Sequence, residues 1–335
     1  MDSLSQLALG AACGVAVMGR RTAVWKAALW GGICGTIPDL DALVDFGDAV
    51  RNMTYHRAES HGLLYLSLLA PLLAWLASKV HGQAPLFKRW CFALWLALFT
   101  HPLLDTFTIY GTQLLQPFSE HPFGLGSIFI IDPLYTLPLL GGLLLALSMK
   151  QFAGLRWNAY ALGFSCMYLA WSVLAQTHVE HIVRTQLAAQ GQGGAKFFVT
   201  PTPLNTIAWR IVVMGEQAYS EGFYSFFDAD RQIAFDQFPN QPALINELQN
   251  NWAAQRMAWF THGFYSLREV QGQAILADLR MGQEPNYVFA FALAQREGAG
   301  WKEITPQAQG GRGDATKALP WLWARIKGQD IAPPR

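Results

Sequence analysis

The sequence predicts a polytopic α-helical membrane domain of about six helices, the first two short, followed by a small α+β domain on a mostly antiparallel sheet. Three observations predict it. Apolar residues make up 52% of the chain and charged residues only 14%, against a usual ~25% in soluble domains. The charge is also uneven: residues 1–189 hold 21 of the 47 charged side chains, so the front suits lipid and the back suits water. Finally, several apolar runs in the front part approach the ~17–25 residues that cross a bilayer as helix. The same composition excludes a disordered, collagenous or coiled-coil chain. A net charge of +1 excludes the basic surface that nucleic acid requires.

The elements follow in order. Ser5–Gly19 and Val24–Ile37 are short and rich in small residues (Gly10, Ala11, Gly14; Gly31, Gly32, Gly35), which lets helix backbones approach closely in lipid. They are either thin, tightly packed spans or a re-entrant pair. Gly62–Val80, Trp90–Tyr110, Pro133–Met149 and Trp157–Thr177 are four longer spans. Lys and Arg set the orientation. Arg20, Arg21, Lys26, Lys79, Lys88, Arg89, Lys150 and Arg156 fall on one side, whereas the opposite loops, 38–61 and 111–132, carry only Arg51 and Arg57. The basic side is expected in the cytoplasm, which puts the N-terminus, both sparse loops and everything after residue 177 on the periplasmic side. Asp2 precedes the first apolar run and Arg20 and Arg21 follow it, the reverse of a cleaved signal peptide. Cys13, Cys34, Cys91 and Cys166 all lie in apolar runs, so no disulfide framework is expected.

A Gly/Gln linker, Ala188–Gly194, separates a helical domain of residues 1–187 from an extramembrane domain of residues 195–335. Beyond it, Lys196–Thr200, Thr206–Met214, Ala218–Phe227, Gln232–Phe238, Ala274–Arg280 and Asn286–Gln295 have strand length and composition. Pro242–Phe260 has helical spacing, with Leu244, Leu248, Trp252 and Trp259 roughly on one face. Thr316–Gly328 is expected as a last helix, interrupted near Pro320.

Ionisable residues in membrane segments are costly and mark function. His101 and Asp105 lie four apart, which puts both on one helix face. They form either half of a cation site or a neutral pair joining helices. Thr36–Asp41 reads T-I-P-D-L-D, and Pro38 should end the preceding helix and present Asp39 and Asp41 at its mouth. Taken alone, that motif is a helix-terminating turn. Tyr55–Gly62 reads Y-H-R-A-E-S-H-G; a regular helix would splay His56 and His61 by ~140°, but a loop can bring them together. By the charge topology Asp39, Asp41, His56, His61, His101, Asp105, Asp132 and Asp2 all collect at one membrane face. That convergence predicts a divalent metal site: imidazole with carboxylate suits zinc, manganese or iron, as one ion or two bridged by a carboxylate. Asp39 or Asp105 would accept a proton, and Arg57 or Tyr110 would steady an anionic substrate. His121, His178, His181 and His262 read as interfacial or surface histidines, and His81 falls on the opposite side. No phosphate loop, H-E-x-x-H, C-x-x-C or nucleophilic serine elbow is present.

These motifs carry a resemblance. The opening M-D-S-L-S-Q-L-A-L-G-A-A, then G-T-I-P-D-L-D, H-R-A-E-S-H, H-P-L-L-D-T-F-T-I-Y-G-T-Q-L-L-Q-P-F-S, I-I-D-P-L-Y-T-L-P-L-L, P-T-P-L-N-T-I-A-W-R, Y-S-E-G-F-Y-S and L-R-M-G-Q-E-P-N-Y-V-F resemble the YdjM-like (YfhP/YbcI-type) family of membrane-bound metal-dependent hydrolases. The resemblance implies an inner-membrane hydrolase with Asp39, Asp41, His56, His61, His101, Asp105, Asp132 and Asp2 as metal ligands. The H-x-x-x-D spacing also resembles part of the zinc phospholipase C pattern, which points towards phosphoesters. Two positions depart from the family pattern: Val15 stands where a Glu is usual, and H-R-A-E-S-H-G replaces H-R-G-x-S-H-S. The expected function is hydrolysis of an ester or phosphoester, including lipid-linked ones, by metal-activated water at the periplasmic face. A cation or proton transporter and a non-enzymatic, metal-stabilised envelope scaffold are the alternatives. The expected partners are the lipid bilayer and a small or lipid-linked substrate, not nucleic acid.

Overall fold

The computed structural model describes residues 1–335, and the chain divides into two units: Met1–Val44 with Tyr55–Val173, and Asp45–Thr54 with Leu174–Arg335. The first unit is helical. Its elements are α1 (Ser3–Met18), α2 (Val24–Thr36) and a 3₁₀ turn over Pro38–Leu43, where Pro38 ends the helix. The excursion into the second unit carries the short α3 (Ala49–Tyr55). A 3₁₀ turn at Glu59–His61 then leads into α4 (Leu63–Val80), α5 (Phe87–Asp105), α6 (Pro133–Ser148) and the long α7 (Phe152–Ala189).

Glycine sets the closest packing. Along the α1/α2 contact a Cβ on Gly10 would stand 2.3 Å from the Gly31 carbonyl oxygen, and one on Gly35 would stand 2.5 Å from that of Gln6. Only a bare backbone fits there. Val15, Met18, Ala27, Trp90, Leu94 and Leu98 form one apolar cluster. Ala8, Ala12, Leu104, Ile128, Tyr135 and Leu139 form a second, against α6.

Each expected apolar run contains a helix, with the largest differences in extent at two C-terminal ends. The run expected to reach Tyr110 stops at Asp105, because the hydroxyls of Thr106 and Thr108 donate to the Leu103 and Asp105 carbonyls (2.6 and 2.7 Å) and close the last turn. The run expected to stop at Thr177 continues to Ala189. One helix, Leu63–Val80, is long and apolar enough to cross a membrane by length and composition; Ser3–Met18 and Pro133–Ser148 are shorter apolar helices. α5 falls short of that standard because Lys88 and Arg89 stand at one end and His101 and Asp105 at the other. α4 buries the small side chains of Ala70, Ala74 and Ala77 and exposes Leu68, Leu72 and Trp75. That is the reverse of a soluble helix, which buries its large apolar residues.

The second unit holds β1 (Lys196–Pro201), β2 (Ala208–Met214), β3 (Ala218–Ser225), β4 (Phe235–Pro239), α8 (Pro242–Glu247), α9 (Trp252–Phe260), β5 (Tyr265–Val270), β6 (Gln273–Asp278), β7 (Gly282–Gln283), β8 (Asn286–Tyr287), β9 (Ala290–Glu297), β10 (Gly300–Ala308) and α10 (Ala315–Ile326). These strands make two antiparallel four-stranded sheets, ordered β1-β2-β3-β4 and β10-β9-β6-β5, plus a small hairpin, rather than a single sheet. The helix expected over Pro242–Phe260 is two helices, because the Asn251 side chain caps a new start by accepting from Ala254 N (3.0 Å). Conversely, α10 runs unbroken through Pro320 and buries Trp321, Leu322 and Arg325. Val179, Ile182, Val183 and Leu187 on the last turns of α7 pack on Val199, Ile211 and Val213 to form this unit's core. A buried ion pair crosses β2 and β3: Arg210 Nε donates to Glu221 at 2.7 Å, and its NH1 donates to the Leu279 carbonyl at 2.7 Å.

Candidate metal centre

Four ligand-type side chains from three places in the first unit meet. Asp39 stands on the 3₁₀ turn after α2, His61 ends the 3₁₀ turn before α4, and His101 and Asp105 lie one turn apart at the end of α5. One ligand atom from each lies within 4.8 Å of all the others. His61 Nε2 is 3.1 Å from His101 Nε2, 3.3 Å from Asp105 Oδ2 and 3.5 Å from Asp39 Oδ1. His101 Nε2 is 3.5 Å from both carboxylates. A tetrahedron of ligands about 2.0–2.1 Å from a zinc ion has six edges of roughly 3.3–3.4 Å. These five separations lie within about 0.2 Å of that length, and the sixth, between the carboxylates, is within 4.8 Å.

The hydrogen bonds behind the ligands say what must lie between them. His101 Nδ1 faces the Gly35 carbonyl at 2.7 Å and must donate, which leaves the Nε2 of the neutral ring as a lone pair. His61 Nδ1 lies 2.8 Å from Ser60 Oγ, and that hydroxyl in turn donates to Asp41 Oδ2 at 2.5 Å. The neutral His61 ring therefore also presents Nε2 as a lone pair. Asp105 Oδ1 accepts from Gln6 (3.0 Å) and from the Met1 ammonium, and it pairs with Arg57 NH2 at 3.3 Å. Its Oδ2 is buried with no hydrogen-bond partner and faces the two imidazoles. Four electron-rich atoms thus converge, and a positive species must separate them: a proton on an imidazole, or a metal ion. A single proton serves one pair at a time, whereas a divalent cation satisfies all four. Two imidazoles and two carboxylates with fixed outer partners fit zinc or a similar borderline ion.

Electrostatics follow the same pattern. Burial opposes the charge on Asp39, but the facing imidazoles of His101 and His61, when protonated, outweigh it and hold the carboxyl well below the usual range. Burial likewise opposes the charge on Asp41, and the His56 hydrogen bond leads the effects that bring it down. Burial works against protonation of His61, yet the Asp105 and Asp39 carboxylates facing its Nε2 raise it above the ordinary imidazole value.

The other expected ligands are placed differently. Asp41 and His56 lie beside the centre, not in it. Asp41 Oδ1 is 2.8 Å from His56 Nδ1, and its Oδ2 accepts from Arg57 N at 2.9 Å and from Ser60. That carboxylate holds the His56–Ser60 turn together, including Arg57 at φ +65°. Asp132 and Asp2 stand outside the group because each caps a helix. Asp132 accepts from Leu134 N and Tyr135 N and from the Tyr168 hydroxyl; burial lifts its carboxyl above the usual range. Asp2 accepts from Leu4 N and Ser5 N. At a helix mouth, a capping aspartate and a ligating one look alike in sequence. Val15, where the resemblance implies Glu, packs in the apolar cluster with Met18 and Ala27, so the substitution takes no ligand from the four. Arg57 is buried, its NH1 is 3.4 Å from Thr108 Oγ1, its guanidinium lies over Tyr110, and its Nε has no hydrogen-bond partner. His121, His178, His181 and His262 are not among the four, and His81 accepts from Trp30 Nε1 at 2.9 Å.

Sequence reasoning missed Gln6 and Gly35, which hold Asp105 and His101. A signal existed for Gln6: it lies four residues before Gly10 and eight before Gly14, a polar side chain on the glycine stripe of an apolar helix.

An apolar helical unit with a buried His₂Asp₂ cluster beside a span-length helix, joined to a β-rich unit, defines a membrane-type protein with a candidate metal centre. Residues 1–179, more than half of the chain and all of the cluster, match the family described as YdjM inner membrane protein, and the chain belongs to that family. It is also 30% identical over 142 residues to the uncharacterized protein YfhP of Bacillus subtilis (strain 168). That match covers 40% of this chain and 42% of the relative, so it spans less than half the length of either. No solved structure matches the chain.

Proposed function

We propose that this chain is a polytopic inner-membrane hydrolase that cleaves an ester or phosphoester at a metal centre held by Asp39, His61, His101 and Asp105. The observation that carries the reading is the convergence of four lone-pair donors on one point, with Asp105 Oδ2 buried and unpartnered there. Two further features support the membrane part. Large apolar side chains are exposed on all six long helices, among them Leu7, Trp25, Leu68, Phe92, Leu144 and Met167, an arrangement that suits lipid as solvent. The eight-to-two bias of Lys and Arg supports a periplasmic face for the centre and for the second unit.

When bound, a divalent ion at such a site lowers the pKa of water towards ~7 and so supplies a nucleophile at neutral pH. The chain's own residues account for the rest. Arg57, buried beside the centre with an unpartnered Nε, binds the anionic group and opposes charge developing on it. His56, oriented by Asp41, is the proton carrier; its side chain is 23% exposed, enough to exchange with solvent. In the reaction the water oxygen bonds to phosphorus or carbonyl carbon, the old ester oxygen leaves, and the proton lost from water returns to that oxygen. Gly35, Gln6 and Ser60 keep the ligands in register. Transport is the weaker reading. Between Arg89 and His101, α5 carries no charged residue, so the ionisable groups gather at one end instead of lining a path.

Elemental analysis of the protein purified in detergent, with a screen of ester and phosphoester substrates, tests the reading. Stoichiometric zinc, manganese or iron is expected, and His101→Ala should lose both metal and turnover. Absence of bound metal after purification and after reloading would overturn it.

A further inference from the structure

We propose that the two loops framing the metal centre insert into the bilayer leaflet at that end of the helices, so that the centre draws from that leaflet a lipid carrying a phosphoester. The substrate class rests on the hydrolase reading above; the insertion does not.

The most exposed large apolar side chains in the whole chain are Leu43 at 84% and Phe118 at 82%. Both sit on segments that build the centre. Leu43 shares its six-residue 3₁₀ turn with Asp39 and Asp41; the acids turn inward and Leu40 and Leu43 turn outward. Phe118 belongs to the segment that backs the His61 turn: Leu63 N donates to Leu114 O (3.0 Å), and Gln113 N donates to Arg57 O (2.9 Å).

Their surroundings identify what covers them. Residues 111–119 contain no charged side chain, and in Pro38–Val44 the only charges are the two inward acids. Loops in water carry polar tips, whereas these apolar tips, each followed by one exposed acid (Asp45 and Glu120) at its end, suit hydrocarbon with the acids left at the water side. The membrane helix also begins here: Leu63 is two residues after His61, which puts the ligands at the edge of the hydrocarbon layer. Among the four ligands only Asp39 is partly open, its side chain 17% exposed, so the approach to the centre runs past the outward leucines. A substrate arriving that way has an apolar portion, and the buried Arg57 beside the centre selects an anionic reacting group. A lipid phosphoester meets both demands. Its hydrolysis forms one P–O bond from water, breaks one to the lipid or head group, and returns a proton to the departing oxygen.

The test has two arms. In nanodiscs of phosphatidylcholine and phosphatidylglycerol, a nitroxide is placed at Phe118→Cys, and separately at Leu43→Cys, in a full-length chain with Cys91→Ala and Cys166→Ala. Collisions with oxygen should exceed those with a water-soluble nickel reagent. The reverse ratio, or shielding from both reagents by another protein surface, would overturn the insertion. In the second arm, metal-loaded protein is given a long-chain phospholipid in the bilayer and a short-chain, water-soluble phosphoester with the same head group. Leu43→Ser with Phe118→Ser should lower the long-chain to short-chain ratio of kcat/KM by roughly tenfold or more, the equilibrium equivalent of exposing one large apolar side chain. An unchanged ratio, or cleavage of the short-chain ester alone by the unaltered protein, would overturn the inference while the hydrolase reading stands. No turnover of either ester would overturn that reading and the substrate class with it, and the collision ratio would still decide the insertion.

Discussion

His61 and Asp39 make the metal-free and metal-loaded proteins respond oppositely to pH. Without metal, His61 holds its proton above the usual imidazole range and Asp39 stays ionised below the usual carboxylate range. The stabilisation from His61 is full below the unfolded value of about 6.5 and is lost as pH rises through the higher folded value. That from Asp39 is present above its unfolded value of about 3.9 and is lost as pH falls through the depressed folded one. Metal-free stability from this pair is therefore greatest between roughly pH 4 and 6.5 and declines above. A metal ion displaces the His61 proton, so the loaded protein tightens as pH rises. Thermal unfolding with and without chelator should show destabilisation by chelator growing from acid to mildly alkaline pH, and a constant gap would contradict the assignment. Ser60→Ala, which breaks the Asp41–Ser60–His61 relay, should weaken metal binding by ~10–100-fold without unfolding the protein, measured by competition with a fluorescent chelator.

At the scale of elements, the α1/α2 contact matters to the site because it carries two of its supports, Gln6 and Gly35. Gly10→Ala puts a methyl where the Gly31 carbonyl stands and must part the helices. A loss of roughly 1–3 kcal/mol, as in other overpacked contacts, should appear together with weaker metal retention; a destabilised variant with unchanged metal affinity would uncouple packing from the centre. The helices were legible in the sequence because apolar runs and their proline and glycine boundaries are local signals. Two edge strands were not: β5 carries Arg268 and the exposed Glu269, and β10 exposes Lys302 and Glu303, so both lack the apolar signature that marks β2. The four clustered residues were legible as members of a set of eight, because residue type and the membrane side expected from charge sort them without any contact being known. Which carboxylate would turn into the centre was not, since Asp2 and Asp132 differ from Asp39 only in the backbone amides they meet. Gln6 and Gly35 act across 99 and 66 residues, a separation that no local pattern encodes.

For the molecule as a whole, the two units rest on different forces. The helical unit combines apolar clusters with the His₂Asp₂ centre. The β-rich unit packs its first sheet on the end of α7 and buries the Arg210–Glu221 pair. Arg210→Ala leaves Glu221 charged and buried, at a cost of about 3–5 kcal/mol. Calorimetry should show a lowered transition while metal content per chain is unchanged; loss of metal along with that transition would tie the units into one cooperative block. The family match ends at residue 179, inside α7, whose next turns bury Ile182, Val183 and Leu187 against the first sheet. Trimming the protein at that apparent boundary would strip the first sheet of the helix that covers it and leave a bare greasy sheet face prone to clumping, so any dissection that aims for soluble material has to cut upstream of Ala175 and carry the helix tail along.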